Sequence, residues 1–531
     1  MNKTKLFSAL GLCSVGLAPS VSGQIPQNQR PNIIYIMSDD HGYQAVSAYG
    51  YGLNKTPNID RIAKEGAIFT RACVSNSLCA PSRATMLTGK HSFMNGKTDN
   101  RGGFNWDQDN FPKQLQKAGY TTAMVGKIHL DGLPQGFDYS NVLPGQGNYY
   151  NPDFIENGVK KRYPGYVTTL TTQFALEWLD KKRDKTKPFC LLYHQKAPHR
   201  NWLSEEKYLN LFEDRVFPFP ENFYDDYTGR GTAAHTQAME ITKIMGWGHD
   251  MKFENDPYTG EPTNFMADIN RMDDKQRLAW RTAYNPKNEA FLKNKPEGKE
   301  LDKWKFQRYL RDYLKVIQSV DDGVGELLDY LDKNGLKENT IVVYTSDNGF
   351  YLGEHGWFDK RFMYEESFRV PLLIRYPKEI KPGTRIGSLV QNLDFAPTFL
   401  DYAGAKVPSD MQGESFRKLV SGKTKVWRDA TYYTYYEYPA EHSVKRHYGI
   451  ATDRYKLIHF YYDVDEWELY DLLKDPHDMK NVYDDPSYAE VRKMMHKRLE
   501  EVRARYGDSD ANDQKFIKTY LDGMKKSMGK E

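Results

Sequence analysis

Asn32-Ile33-Ile34-Tyr35-Ile36-Met37-Ser38 is a nearly unbroken apolar run that stops at Asp39-Asp40-His41-Gly42. Apolar residues at consecutive rather than alternate positions describe a strand covered on both faces. A charged stop describes a functional loop at its carboxyl end. The pattern recurs: 121–125 runs into Gly126-Lys127-Ile128-His129, 188–194 leads to Ala197-Pro198-His199, and 340–346 is followed by Asp347-Asn348-Gly349. Shorter strands are expected at 67–70, 370–375 and 388–390. Between them lie helical patterns at 57–66, with Pro near the start and Gly after the end, at 112–118 closed by Gly119, at 168–182 and at 393–402. A long amphipathic pattern over 304–333 places Ile317, Val320, Val324, Leu327, Leu328 and Leu331 on one side, with Gly335 capping it. Strands alternating with helices predict an α/β fold: a parallel sheet with helices on both faces. Ligands in such sheets collect at the carboxyl ends of strands, where all four polar loops fall.

Residues 205–300 are polar and rich in turn formers, and are expected to form excursions over the core. Beyond about residue 425 the alternation changes. The stretches 430–437, 447–451, 455–460 and 466–470 read as short antiparallel strands, and 488–506 as a helix packed on them. The expected organisation is a catalytic domain over 30–425 and a smaller α+β subdomain over 426–531, with no repeat and no low-complexity linker.

A chain of 531 residues can bury a sizeable core. Its 39% apolar and 27% charged residues describe a soluble globular protein. Lys+Arg at 74 against Asp+Glu at 71 argues against a nucleic-acid binder, which carries a basic excess. The 38 tyrosines suit a carbohydrate surface, though Tyr also packs ordinary cores. Lys3 and Lys5, the apolar stretch 6–18 and the small residues Val21-Ser22-Gly23 read as a signal peptide over 1–23, predicting a periplasmic or secreted protein. Cys13 invites a lipoprotein reading, which Leu12 weakens by standing where a small residue is wanted. No later stretch reaches roughly 18 uninterrupted apolar residues, so no stable membrane insertion is expected.

Cys79-Ala80-Pro81-Ser82-Arg83, continuing to Leu87-Thr88-Gly89, resembles the signature of type I sulfatases, in which a separate maturation enzyme oxidises the Cys to formylglycine. Gly119-Tyr120-Thr121-Thr122-Ala123-Met124-Val125-Gly126-Lys127-Ile128-His129 resembles the second signature of that family. The resemblance covers residues 31 to about 475 and implies an alkaline-phosphatase-like sandwich, with a large mixed, mostly parallel sheet and a smaller antiparallel one. It implies that Asp39, Asp40, Asp347 and Asn348, with an oxygen of modified residue 79, hold one Ca²⁺. Three carboxylates and an amide suit that hard ion. His41 departs from the Gln common at its position, without touching an implied ligand. The resemblance further implies that Arg83 and Lys127 polarise the formylglycine hydrate, that Lys360 binds sulfate, that His199 protonates the leaving group and that His129 completes the site. His194 reads as structural. In the implied reaction a hydroxyl of the hydrate attacks sulfur, His199 protonates the departing alcohol, and the second hydroxyl lets the carbonyl reform and sulfate leave. With Cys79 converted, Cys73 and Cys190 remain as a possible pair, though two separate buried thiols are the simpler expectation.

The stretch 435–442, with Arg446-His447-Tyr448-Gly449 and 454–458, is similar to N-acetylglucosamine-6-sulfatases and heparan sulfatases. That similarity implies a 6-O-sulfated glucosamine or N-acetylglucosamine in a glycosaminoglycan or mucin-type glycan. Arg361, His442 and His447, with Lys360, are the candidate substrate contacts. The competing readings are a sulfatase for another sugar position, a phosphodiesterase or phosphonate hydrolase with two transition metals, and a non-catalytic glycan binder. The last predicts losses among the catalytic positions, and there are none. Oligomeric state and exo or endo action are not legible.

Overall fold

The structure is a computed structural model that describes residues 30–527 and Gly529. The signal peptide at 1–23 and Cys13 lie outside the described residues. The central sheet has ten strands in the order Thr384–Ile386, Ala67–Phe69, Leu372–Arg375, Thr340–Ser346, Asn32–Ser38, Phe189–His194, Thr121–Lys127, Tyr139–Leu143, Asp153–Glu156, Val159–Arg162. Its middle is parallel, and Leu372–Arg375 runs antiparallel to both neighbours. Asn32–Ser38 is wholly buried because both faces are covered. Ile33, Tyr35 and Met37 pack against Leu87, Leu115 and Phe399 on one side; Ile34 and Ile36 belong to the opposite core with Ile59, Val320 and Val324. The consecutive apolar residues therefore reflect two separate cores sharing one strand.

The second sheet is antiparallel, in the order Ala430–Tyr435, His447–Thr452, Tyr455–Phe460, Glu466–Asp471. Its first strand docks on the segment just before Cys79: the Thr434 amide donates to the Ser75 carbonyl at 3.0 Å, and the Ser77 amide to the Tyr433 hydroxyl at 3.1 Å. Helix Ala489–Tyr506 packs on this sheet as expected, but it has a companion, Asp510–Ser527.

Other expectations need correction. The 388–390 strand is Val390–Gln391, which pairs with Ala72–Cys73 in a separate two-stranded sheet. Residues 205–300 are more than an excursion. They include helix Asp274–Asn294, opened by a capping box on Asp273, and Trp280, Tyr284 and Phe291 join the core. Polar average composition hid these widely spaced anchors. The edge strand Val159–Arg162 is fully exposed and so carries no apolar signal. Cys73 and Cys190 are separate buried thiols. Among the described residues no helix is long and apolar enough to cross a membrane.

Candidate active site

Parallel pairing decides what meets at the sheet edge. Ser38 is in register with Ser346, so Asp39-Asp40 and Asp347-Asn348 leave adjacent strands side by side. Asp40 adopts φ 66°, which turns the loop back so that its amide donates to Asp347 Oδ1 at 3.1 Å. On the other flank Gly126 pairs with His194. Gly126 has φ +102°, and a Cβ there would lie 1.9 Å from the His194 carbonyl oxygen. Only glycine lets the strands approach while Lys127 turns into the site.

Cys79 opens helix Cys79–Thr88, a helix buried along its whole length. Its Sγ lies 3.3 Å from Asp39 Oδ1 and 4.0 Å from Asp40 Oδ1. Ligand atoms of Asp39, Asp40, Cys79 and Asp347 all lie within 4.8 Å of one another. Arg83, one helical turn on, donates from Nε to Asp347 Oδ2 at 2.9 Å and from Nη1 to the Lys127 carbonyl at 2.6 Å. Lys127 Nζ bonds Asp39 Oδ2 and Gln146 Oε1. Lys360 Nζ lies 2.7 Å from both oxygens of Asp40. His199 Nε2 is 3.8 Å from Asp40 Oδ2, with its Nδ1 2.6 Å from the Arg200 carbonyl oxygen. His129 Nε2 is 3.2 Å from Gln146 Nε2. The structure thus brings together Asp39, Asp40, Cys79, Arg83, Lys127, His129, His199, Asp347, Asn348 and Lys360 from six separate segments.

The cluster holds conflicting charges. Burial opposes ionisation of Asp39, but Lys127, His199, Arg83 and Lys360 hold it well below the usual carboxylate range. Burial and the charge of Asp39 push Asp347 up to about 7. Burial, reinforced by Lys127, pushes His129 and His199 well below the usual imidazole range. Asn348 donates to Asp40 Oδ1 at 2.7 Å, yet its own Oδ1 is buried without a hydrogen-bond partner. An orphaned carbonyl beside three crowded carboxylates, with no nitrogen ligand in the four-residue set, fits a hard cation. The cation would satisfy the amide oxygen and relieve the repulsion on Asp347.

Of the sugar candidates, Arg361 and His442 reach the cluster's rim through Asp359. Arg361 Nε donates to Asp359 Oδ2 at 2.7 Å, and His442 Nε2 is 3.5 Å from the same oxygen. His447 does not reach it. It is fully buried, with its ring stacked on Tyr433, Tyr435 and Phe362, so its place is in the packing of the second sheet. His41 and His194 are buried away from solvent; His41 Nδ1 lies 2.6 Å from the Tyr344 hydroxyl. Gln146, Asp359 and Glu437 escaped the sequence reading. Gln146 follows a strand that was not foreseen; Asp359 precedes Lys360 and Glu437 lies within the 435–442 stretch, but nothing in either stretch marks the carboxylate itself. An apolar cavity of about 430 Å³, lined by Phe219, Phe306, Leu310 and Met479 among others, shares no residue with the cluster.

This fold, with a buried nucleophile position, a cation-ready carboxylate set and two imidazoles at one sheet edge, defines an alkaline-phosphatase-like hydrolase. The sulfatase family model matches residues 31–405, and a model of the N-sulphoglucosamine sulphohydrolase C-terminal region matches 353–505. The chain belongs to the sulfatase family and is a sulfuric ester hydrolase. It is 50% identical over 516 residues to an N-acetylglucosamine-6-O-sulfatase of Bacteroides thetaiotaomicron, covering 96% of this chain and 92% of that protein. The human N-acetylglucosamine-6-sulfatase is 28% identical, covering 79% and 70%. A solved structure in complex with its substrate D-glucosamine-2-N,6-O-disulfate superposes with TM-score 0.88 at 50% identity, covering 91% of this chain and 99% of that one. A phosphonate monoester hydrolase of Agrobacterium radiobacter, at TM-score 0.68 and 21% identity, shares the fold alone.

Proposed function

We propose that this sulfatase removes the 6-O-sulfate of glucosamine or N-acetylglucosamine in glycosaminoglycan or mucin-type glycans, using a formylglycine formed from Cys79 and one Ca²⁺. The observation that carries the chemistry is the crowding of Asp39, Asp40 and Asp347 around Cys79 with the Asn348 carbonyl oxygen orphaned beside them. The sugar is supported by the 50%-identical N-acetylglucosamine-6-O-sulfatase and by the similar structure in complex with a 6-O-sulfated glucosamine. The signal-like residues 1–23 support export, and a formylglycine-generating enzyme is the transient partner the Cys79 motif requires. We divide the chain into a catalytic domain at 30–425 and a subdomain at 426–531.

Asp39, Asp40, Asp347 and Asn348 would hold the calcium, whose contribution when bound is to offset charge on the sulfuryl oxygens. Modification of Cys79 would place a hydroxyl where the thiol now faces Asp39. The charges of Asp39, Asp40 and Asp347 are matched in number by Arg83, Lys127 and Lys360. A divalent cation would therefore leave the site with an excess of two positive charges, suited to an anionic ester. Lys360 and Lys127 orient the sulfuryl group. Arg83 holds the carboxylate of Asp347 and the backbone of Lys127 in place. His199, depressed in the free site by burial and Lys127, gains affinity for a proton once an anion lies beside it, and gives that proton to the leaving oxygen. His129, kept neutral and near Gln146, is placed to accept a proton in the return step.

Protein produced with a maturation enzyme should carry an aldehyde in the peptide containing residue 79 and release sulfate from glucosamine 6-sulfate faster than from its 3-sulfate. Full activity with an intact thiol at Cys79 would overturn the chemistry. Faster release from the 3-sulfate would overturn the sugar position.

A further inference from the structure

Arg361 sits next to Lys360 of the acidic cluster in a backbone conformation an arginine rarely adopts, φ 102°, with Asp359 at φ 75°. Such a conformation persists only where neighbours over-determine it. The neighbours come from the second sheet. The Tyr433 hydroxyl donates to the Arg361 carbonyl at 2.6 Å. Arg361 Nη1 donates to Glu437 Oε1 at 3.2 Å and lies 3.4 Å from the Tyr435 hydroxyl. Glu437 is itself pinned from the other side, because the Asn100 amide donates to its Oε2 at 2.7 Å. The Asn100 side chain then accepts from the Ala80 amide at 3.1 Å, next to Cys79. Asp359 takes Arg361 Nε, and Lys360 between them reaches Asp40. The contacts close a circuit from the nucleophile position through Asn100, Glu437, Arg361 and Lys360 back to the acidic cluster. Two edges of the guanidinium are occupied by carboxylates, and Nη2 makes no hydrogen bond among the described residues.

We propose that Glu437 is the positioning residue that lets the second sheet set sugar specificity: it fixes the plane of the Arg361 guanidinium so that Nη2 meets a ring hydroxyl of the bound sugar. This rests on the sugar reading above and deepens it. The chemistry requires a carboxylate. Each oxygen of Glu437 accepts one hydrogen bond, and an amide in its place would turn an N–H toward either Arg361 or the Asn100 amide. A planar, two-sided clamp is the arrangement that makes an arginine directional rather than merely positive. An aryl sulfate has no ring hydroxyl to meet, so its turnover does not depend on where Nη2 points.

The test compares glucosamine 6-sulfate with a simple aryl sulfate as substrates of the matured, calcium-loaded enzyme. Glu437→Gln should raise KM for the sugar ester about tenfold, the size of one well-aimed charged contact, with a smaller effect on the aryl ester. In an Arg361→Ala background, Glu437→Gln should add no further sugar-specific loss, because the two act as one unit. Equal losses on both esters, or an undiminished effect without Arg361, would overturn the inference and leave the sugar reading standing. A wild-type enzyme that cleaves the aryl ester and no glucosamine sulfate would overturn both. If Glu437→Gln does not fold, Tyr435→Phe keeps every charge paired and should raise KM for the sugar ester about threefold. No sugar-specific change in that variant would then overturn the inference.

Discussion

At the carboxyl edge of the central sheet Asp39, Asp40 and Asp347 crowd together, whereas under the 472–485 loop Asp225, His355, Glu366 and His477 alternate in sign. Both groups are largely buried. In the first, burial and a like charge push Asp347 up to about 7, while burial and Lys127 push the imidazoles down. In the second the shifts run the other way. Burial opposes it, but bonds from His355 and Arg230 hold Asp225 down at about 2, and the bond from Glu366 lifts His477 to about 9. Grouped like charges keep free energy in reserve until a cation arrives. Alternating charges spend theirs on joining one loop to another.

The largest contrast is in activity. Cys79→Ala should lower sulfate release by about 10⁴-fold or more, as loss of a nucleophile does, while leaving the thermal midpoint nearly unchanged. His477→Gln should leave turnover intact. Substantial residual sulfate release by Cys79→Ala would remove the first cluster from the chemistry altogether.

Calcium sharpens the comparison by stability. Calcium at about a hundred times its dissociation constant should stabilise the wild type by about 2.7 kcal/mol, read as a rise in thermal midpoint. His477→Gln should keep that rise. Asp347→Asn should lose it, because one of the carboxylates that would hold the ion is gone. A full calcium-induced rise in Asp347→Asn would show that this carboxylate does not hold the ion.

The smallest effect is one of pH. His477 is raised above its unfolded value, so its pairing with Glu366 contributes stability that is fully present below about pH 6.5 and lost as pH rises through about 9. His477 is half exposed and Glu366 buried, so the pair's worth is about 1 kcal/mol after solvent screening. The midpoint gap between wild type and His477→Gln should therefore close between pH 6 and pH 10. A gap that widens over that range would refute the assignment.

The central strands were readable because burial on both faces leaves consecutive apolar residues, as in Asn32–Ser38. The edge strand Val159–Arg162 was not, because solvent covers it and nothing selects apolar side chains there. Helix Asp274–Asn294 was hidden for a related reason: a few anchors such as Trp280 and Phe291 hold an otherwise polar helix to the core. In the site, residues within short motifs, Cys79 to Arg83 or Gly126-Lys127, could be found by local pattern. Gln146, Asn100 and Glu437 could not, since each acts only through contacts to distant segments. His447 misled because a histidine beside a sugar and a histidine stacked among tyrosines have the same letter.

The order of residues along the chain was enough to determine the alternating strands and helices, the family and the chemical types gathered at the strand ends, because burial and motif spacing are local properties. Which carboxylate crowds which, which histidine is packed away and which glutamate clamps Arg361 were decided only by tertiary structure. Those facts depend on the register of Ser38 with Ser346 and on the docking of Ala430–Tyr435 beside Cys79. Such distances arise between segments hundreds of positions apart, where side-chain electrostatics varies with every ångström.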